Sequence, residues 1–142
     1  MGAIDLDPAS CAEANEYVKA DKFFTIDDDG LSLPWNGRLW LNPPWSAKVG
    51  RPFLTRLDEE YRAGKIASAV IAYNAYTLLT SRWAQFLYAY PLCFPHGERT
   101  RFHVSGGQLV KPLHSTVFAY LGPDDDDFTR EFSQHGAILK AV

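Results

Sequence analysis

Only two cysteines occur in the 142 residues, Cys11 and Cys93, and neither sits in a spacing used by a disulfide framework or a metal site. Both read as reduced thiols, the state expected of a cytoplasmic protein. The four histidines, His96, His103, His114 and His135, match no ligand spacing, so no metal centre is predicted. Positive charge is not in excess. The net charge of -3 argues against tight, sequence-independent binding to nucleic acid, although it leaves room for a local basic patch. No apolar run is long enough to span a bilayer, and no signal-peptide pattern opens the chain. There is no internal repeat, and the single low-complexity piece is the acidic run Asp124 to Asp127. No glycine-rich turn of the G-x-G type precedes the first strand.

What is present suits one domain over residues 1–142. The chain is 46% hydrophobic and 14% aromatic, enough to build a core. GAIDLDPAS reads as a short strand ending at Asp7, with Pro8 opening a helix that runs to about Lys19. DKFFTIDDDGL reads as an extended piece and then an acidic loop. RLWL is apolar on both faces, as in a strand covered on both sides. VGRPFLTRLDEEYRAG has helical spacing at Phe53, Leu54, Leu57 and Tyr61 and stops at Gly64. KIASAVIAY is the clearest buried strand, TLLTSRWAQFLYAY an amphipathic helix and PLCF a short strand. TRFHV and STVFAYL read as a strand pair around a glycine-containing loop, placed at a sheet edge. DDDDFTREFSQHG is a helix whose acids favour its amino end, and AILKAV a closing strand. Alternating strands and helices predict an α/β sandwich with a mostly parallel sheet and an antiparallel edge hairpin. In such sheets ligands bind beyond the carboxyl ends of the strands.

One of those ends carries unusual chemistry, in GRLWLNPPWS (residues 37–46). Asn42 offers an amide oxygen as a hydrogen-bond acceptor. Pro43 and Pro44 have no N–H, so the backbone there presents carbonyls, held still by fixed φ angles. Trp45 adds a flat, electron-rich face. This set suits a planar group bearing an NH2: two acceptors take its two protons while the indole stacks on the ring. An aromatic amine is a poor nucleophile because its lone pair is delocalised. Paired acceptors favour a pyramidal nitrogen and the positive charge that builds there during attack. No strong base is needed when the electrophile is activated, and a sulfonium methyl donor is one that an aromatic face also tolerates.

NPPW resembles the [DN]PP[YFW] motif of amino-methyltransferases that use S-adenosylmethionine. The wider pattern, DLDPAS, AN, FFT, DDGL, PW and GRLWLNPPW over residues 3 to 60, is similar to the phage and prophage group of DNA adenine methyltransferases. The resemblance implies a Rossmann-like methyltransferase sandwich that modifies double-stranded DNA in a bacterial cytoplasm. It implies that Asn42 and the Pro43 carbonyl bind the adenine amino group, that Pro44 completes the rigid turn, and that Trp45 stacks on a base flipped out of the duplex. By the same resemblance Asp5 or Asp7 meets the cofactor, and Asp28 or Asp29 with Gly30 borders its adenine. Lys48, Arg51, Arg56, Arg99, Arg101 and Lys111 are, as a set, candidate phosphate contacts, although any one of them taken singly reads better as a solvated charge; Arg101 comes first because ERTRF also looks like a segment of this group. The group's further amino-terminal segment, with its Thr-Pro pair, is not seen ahead of Asp5.

Plainer readings stand beside these. Asn-Pro-Pro is also turn chemistry, Asp7 suits a helix cap, and DDDGL suits a solvated turn. Trp35, Trp40 and Trp83 are expected in the core. The same motif serves methylation of RNA bases and of glutamine side chains, and a non-catalytic remnant that binds DNA or a partner protein remains open.

Overall fold

A computed structural model describes residues 2–97 and 100–142. Among the described residues nine strands and four α-helices follow in chain order: β1 (Leu6–Asp7), α1 (Ala12–Val18), β2 (Lys22–Phe23), β3 (Gly37–Leu41), α2 (Ala47–Arg62), β4 (Ile66–Asn74), α3 (Ala75–Thr80), β5 (Leu92–Pro95), β6 (Phe102–His103), β7 (Leu109–Val110), β8 (Thr116–Leu121), α4 (Asp125–Phe132) and β9 (Gly136–Leu139). Short 3-10 helices occupy Ile26–Asp28 and Arg82–Ala89.

Seven strands make one mixed sheet in the order β2-β1-β3-β4-β8-β5-β9. β2, β1, β3 and β4 are mutually parallel, β8 is antiparallel to both β4 and β5, and β9 is antiparallel to β5. β4 explains the middle of the sheet. Its β-branched and small residues are paired on both edges, and Ala69, Ile71, Ala72 and Tyr73 are buried. On one face Leu39, Leu41, Ile71, Val117, Ala119 and Leu121 pack with Phe53, Leu54 and Leu57 of α2. The hydrophobic spacing of α2 turns these toward the sheet and leaves Lys48, Arg51, Glu59 and Arg62 exposed. On the other face Cys93, Tyr120 and Phe128 form a smaller core with Val70, Phe118, Phe132 and Ile138, covered by α4.

Three expectations change. The strand pair does not close the sheet edge. Phe102–His103 pairs with Leu109–Val110 as a separate two-stranded sheet, while β8 enters the main sheet between β4 and β5. The reason is that β8 is apolar on both faces, which suits an interior strand. α1 starts at Ala12 rather than Pro8, and its N-cap is Cys11, so Asp7 is not the cap. Residues 8–11 instead bend around the Asp7 carboxylate, which accepts from Ala9 N–H at 3.3 Å. Finally, the long amphipathic helix is broken at Ser81, whose backbone is extended (φ -117, ψ 118). Thr80 bonds back to the Tyr76 carbonyl at 2.8 Å, a local competitor for the helical ladder.

The connections leave β1 in opposite directions. The chain passes outward to β2, returns to β3 on the other side of β1, and proceeds away to β4. The carboxyl ends of β1 and β3 therefore flank a switch point, where an open α/β sheet forms a crevice. Asp7 ends β1, and Asn42 directly follows β3. No helix among the described residues is long and apolar enough to cross a membrane.

Candidate active site

A cavity of about 690 Å3 opens at this switch point. Its walls include Asp7, Ser10 and Cys11 from the β1–α1 bend, the whole of Asn42–Trp45, and Trp40 and Phe118 from the sheet. Arg101, Phe102 and His103 of the small hairpin close the far side. Sequence-predicted residues from three separated segments thus share one space: Asp7, Asn42 to Trp45, and Arg101.

Asp7 is 2% exposed. Burial pushes its carboxyl up to about 6, against the opposing effect of bonds from the Ser10 side chain and the Ala9 N–H. A carboxylate has about four acceptor positions, so positions remain for donors entering the cavity.

The rim is held from several directions. Trp45 Nε1 donates to Asn42 Oδ1 at 3.3 Å. An indole N–H only donates, so the amide oxygen is the atom facing it, and the second lone pair of that oxygen stays available. Trp45 is half-buried rather than exposed, and its ring meets Phe102 edge-on, with centroids 5.8 Å apart. Below the rim, α2 approaches the Pro44 carbonyl so closely that a Cβ on Gly50 would lie 2.0 Å from that oxygen. Only glycine permits this packing. Gly50→Ala is expected to cost about 1–3 kcal/mol by overpacking and to displace the rim, measured by urea unfolding and by ligand affinity.

The hairpin wall is fastened to α1. His103 stacks on Tyr17 with ring centroids 3.6 Å apart, and Gly106 N–H donates to Glu13 at 2.9 Å. The sequence reading missed Tyr17, Phe102, His103, Trp40 and Phe118 as lining residues. The aromatic alternation in TRFHV was a usable signal, whereas nothing local marks Phe118 of a central strand as reaching the cavity.

The other expected residues lie outside the cavity lining. Asp5 holds Arg38, accepting from its backbone N–H at 2.7 Å and from Nε at 3.2 Å, and those bonds lower its pKa. Asp28 bonds the Thr25 backbone N–H and hydroxyl at 2.7 and 2.8 Å, closing a capping box, and its pKa is lowered by them. Asp29 is exposed, with φ 53, at the end of that short helix. Gly30 backs the site instead of lining it: a Cβ there would lie 2.1 Å from the Pro8 carbonyl. Its own carbonyl accepts from Trp35 Nε1 at 2.7 Å. Trp35 is buried, with the Arg56 guanidinium 4.8 Å from its ring, and Arg56 also bonds the Leu31 carbonyl. Arg56 thereby ties the 30–31 loop to α2. Lys48 is exposed on the first turn of α2, and Arg51 borders a separate shallow groove with Glu59 and Glu60. Lys111 is exposed beyond β7, and Arg99 lies outside the described residues.

Chemically, the site offers a buried acid at one strand end and, at the next, a rigid turn of acceptors beside an indole. No protein-family model matches the chain, and no curated protein matches it.

Proposed function

We propose that this chain transfers a methyl group from S-adenosylmethionine to the exocyclic amino group of adenine in double-stranded DNA. One observation carries the reading: a single cavity joins the buried Asp7 carboxylate to the Asn42–Trp45 rim. The residues suit the cofactor. The cavity falls within the roughly 300–1,000 Å3 that ligand pockets occupy. Asp7 is a buried acceptor for hydroxyl or ammonium donors, and Trp40, Trp45, Phe102 and Phe118 are aromatic walls. When bound, S-adenosylmethionine supplies a methyl carbon on positively charged sulfur, activated for displacement.

The chain's own groups do the rest. The free lone pair of Asn42 Oδ1 and the Pro43 carbonyl accept the two amine hydrogens, which directs the nitrogen lone pair toward the methyl carbon. Acceptors placed in advance also stabilise the charge that develops on nitrogen. Trp45 supports the base, which must leave the duplex to reach them. Its orientation is fixed by Asn42 and Phe102, so stacking costs little rearrangement. Lys48, Arg51, Arg99 and Arg101 are the proposed phosphate contacts, which orient the duplex without reading its sequence.

Incubation with DNA and methyl-labelled S-adenosylmethionine, followed by hydrolysis to nucleosides, tests this. Label in N6-methyladenosine of the DNA is the expected result. Label confined to RNA or to glutamine would move the substrate. No label, together with no calorimetric heat from the cofactor, would remove the enzyme reading.

A further inference from the structure

Tyr73 is fully buried in β4, yet its hydroxyl has no hydrogen-bond partner among the described residues. Buried polar groups are nearly always paired, so an orphan donor needs a reason. Burial pushes this phenol up to about 12, so it keeps its proton at neutral pH and remains a donor. Trp83 meets its ring edge-on with centroids 6.1 Å apart, which limits where the hydroxyl can turn.

The position of the hydroxyl is informative. The point where a Gly50 side chain would begin lies 3.1 Å from the Tyr73 oxygen and 2.0 Å from the Pro44 carbonyl oxygen. Both oxygens therefore lie against the same bare face of Gly50, beneath the rim. No bond joins them, but those two distances (3.1 and 2.0 Å) place the oxygens no more than 5.1 Å apart, so a small local shift would let the hydroxyl donate to the carbonyl. Gly50 permits this approach, since a side chain there would stand between the two oxygens.

Building on the proposed adenine site, we infer that Tyr73 is a positioning residue for the Asn42–Trp45 rim: its hydroxyl donates to the Pro44 carbonyl when an adenine occupies the cavity. The bond fixes the backbone one residue beyond the Pro43 carbonyl, and so fixes the aim of that acceptor. An unpaired buried donor is costly, and forming this bond recovers that cost, so it favours the state in which the acceptors are aligned. Tyr73 touches no substrate atom and acts through Pro44.

Tyr73→Phe keeps the ring and removes the donor. The variant is expected to melt at the same temperature as the parent or higher, because an unpaired buried hydroxyl is lost. Its kcat on DNA is expected to fall about tenfold with KM unchanged, as for an interaction realised after binding. An unchanged kcat, or a change in KM alone, overturns the inference. A second readout needs no turnover. In protein labelled at tyrosine Cζ, the Tyr73 resonance is assigned by its disappearance in Tyr73→Phe. Adenosine is expected to shift it in the direction of a donating phenol. If Tyr17, which lines the cavity, responds to adenosine while Tyr73 does not, the positioning role falls and the adenine site stands. If neither responds and DNA is not methylated, the adenine site falls, and this inference with it.

Discussion

Replacing Asn42 with alanine is expected to lower the rate of methyl transfer to DNA by about a hundredfold or more, the size of effect seen when one preorganised electrostatic partner of a transition state is removed. The loss should appear in kcat. The amide oxygen meets an amine hydrogen in the bound ground state, but its greater effect comes as charge builds on the nitrogen. The substitution also frees Trp45 Nε1, which the Asn42 oxygen accepts at 3.3 Å, so some rise in KM through a looser indole should accompany it. Stability should change little, because Asn42 is half-buried and lies just past the end of β3. Asn42→Asp is the control: it keeps an acceptor for both the indole and the amine, and should retain much of the rate. Single-turnover kinetics on methyl-labelled cofactor, with unfolding curves for each variant, check this. An Asn42→Ala enzyme with parental turnover would end the reading of the rim as an amine acceptor.

Asp7→Asn should have the largest effect on stability, and that effect should depend on pH. Burial raises the Asp7 carboxyl from 3.8 to about 6. The folded chain therefore holds a proton that the unfolded chain releases. Below about pH 4 both states are protonated and ionisation costs nothing. As the pH climbs through the folded value the stability contribution of the neutral acid is lost, and above about 6 the full cost is present. At 1.36 kcal/mol per pK unit this cost is about 3 kcal/mol. The neutral amide avoids it. The stability of Asp7→Asn relative to the parent should thus rise by up to about 3 kcal/mol between pH 4 and pH 7, read from urea midpoints across that range. Asp5, Asp28 and Glu60 have lowered values, and they stabilise in the opposite sense as pH rises. They are common to both proteins and cancel in the difference.

A buried carboxylate with a raised pKa beside a cavity is the kind of group that functional sites use. In the proposed function it meets hydroxyl or ammonium donors of the cofactor, which favour its charged form. Cofactor affinity should then increase with pH through about 6 in the parent and be weak and pH-independent in Asp7→Asn. Calorimetry with S-adenosylhomocysteine at both ends of the range distinguishes the two. A variant that is more stable yet binds as well as the parent would leave Asp7 with no part in the site.

Local chemistry made much of this legible. The period of apolar residues located α2 and β4 to within a residue or two, and Asn-Pro-Pro marked the end of β3 because proline can neither donate to a ladder nor change its φ. Asp5 and Asp7 were not separable in sequence: both alternate with apolar neighbours on a short strand. In three dimensions Asp5 faces Arg38, while Asp7 lines a cavity in which Arg101 is the one lysine or arginine among the described residues. Asp28 and Gly30 drew attention as a ligand loop, but one closes a capping box and the other admits the Pro8 carbonyl. Such roles depend on atoms that are distant in sequence or on spaces where no atom sits.

The chain order of residue types determined the α/β alternation, the buried strands, and the presence of a rigid acceptor turn beside an indole. These follow from φ restriction, side-chain period and donor–acceptor inventory, all properties of a few adjacent residues. Tertiary structure decided that β8 enters the sheet and releases the hairpin to wall the cavity, that Asp7 and Asn42 share one space, and that the Tyr73 hydroxyl beside Gly50 has no hydrogen-bond partner among the described residues. Those outcomes depend on packing between segments up to about a hundred residues apart, where the competing arrangements differ by burial and pairing energies that no short window of sequence contains.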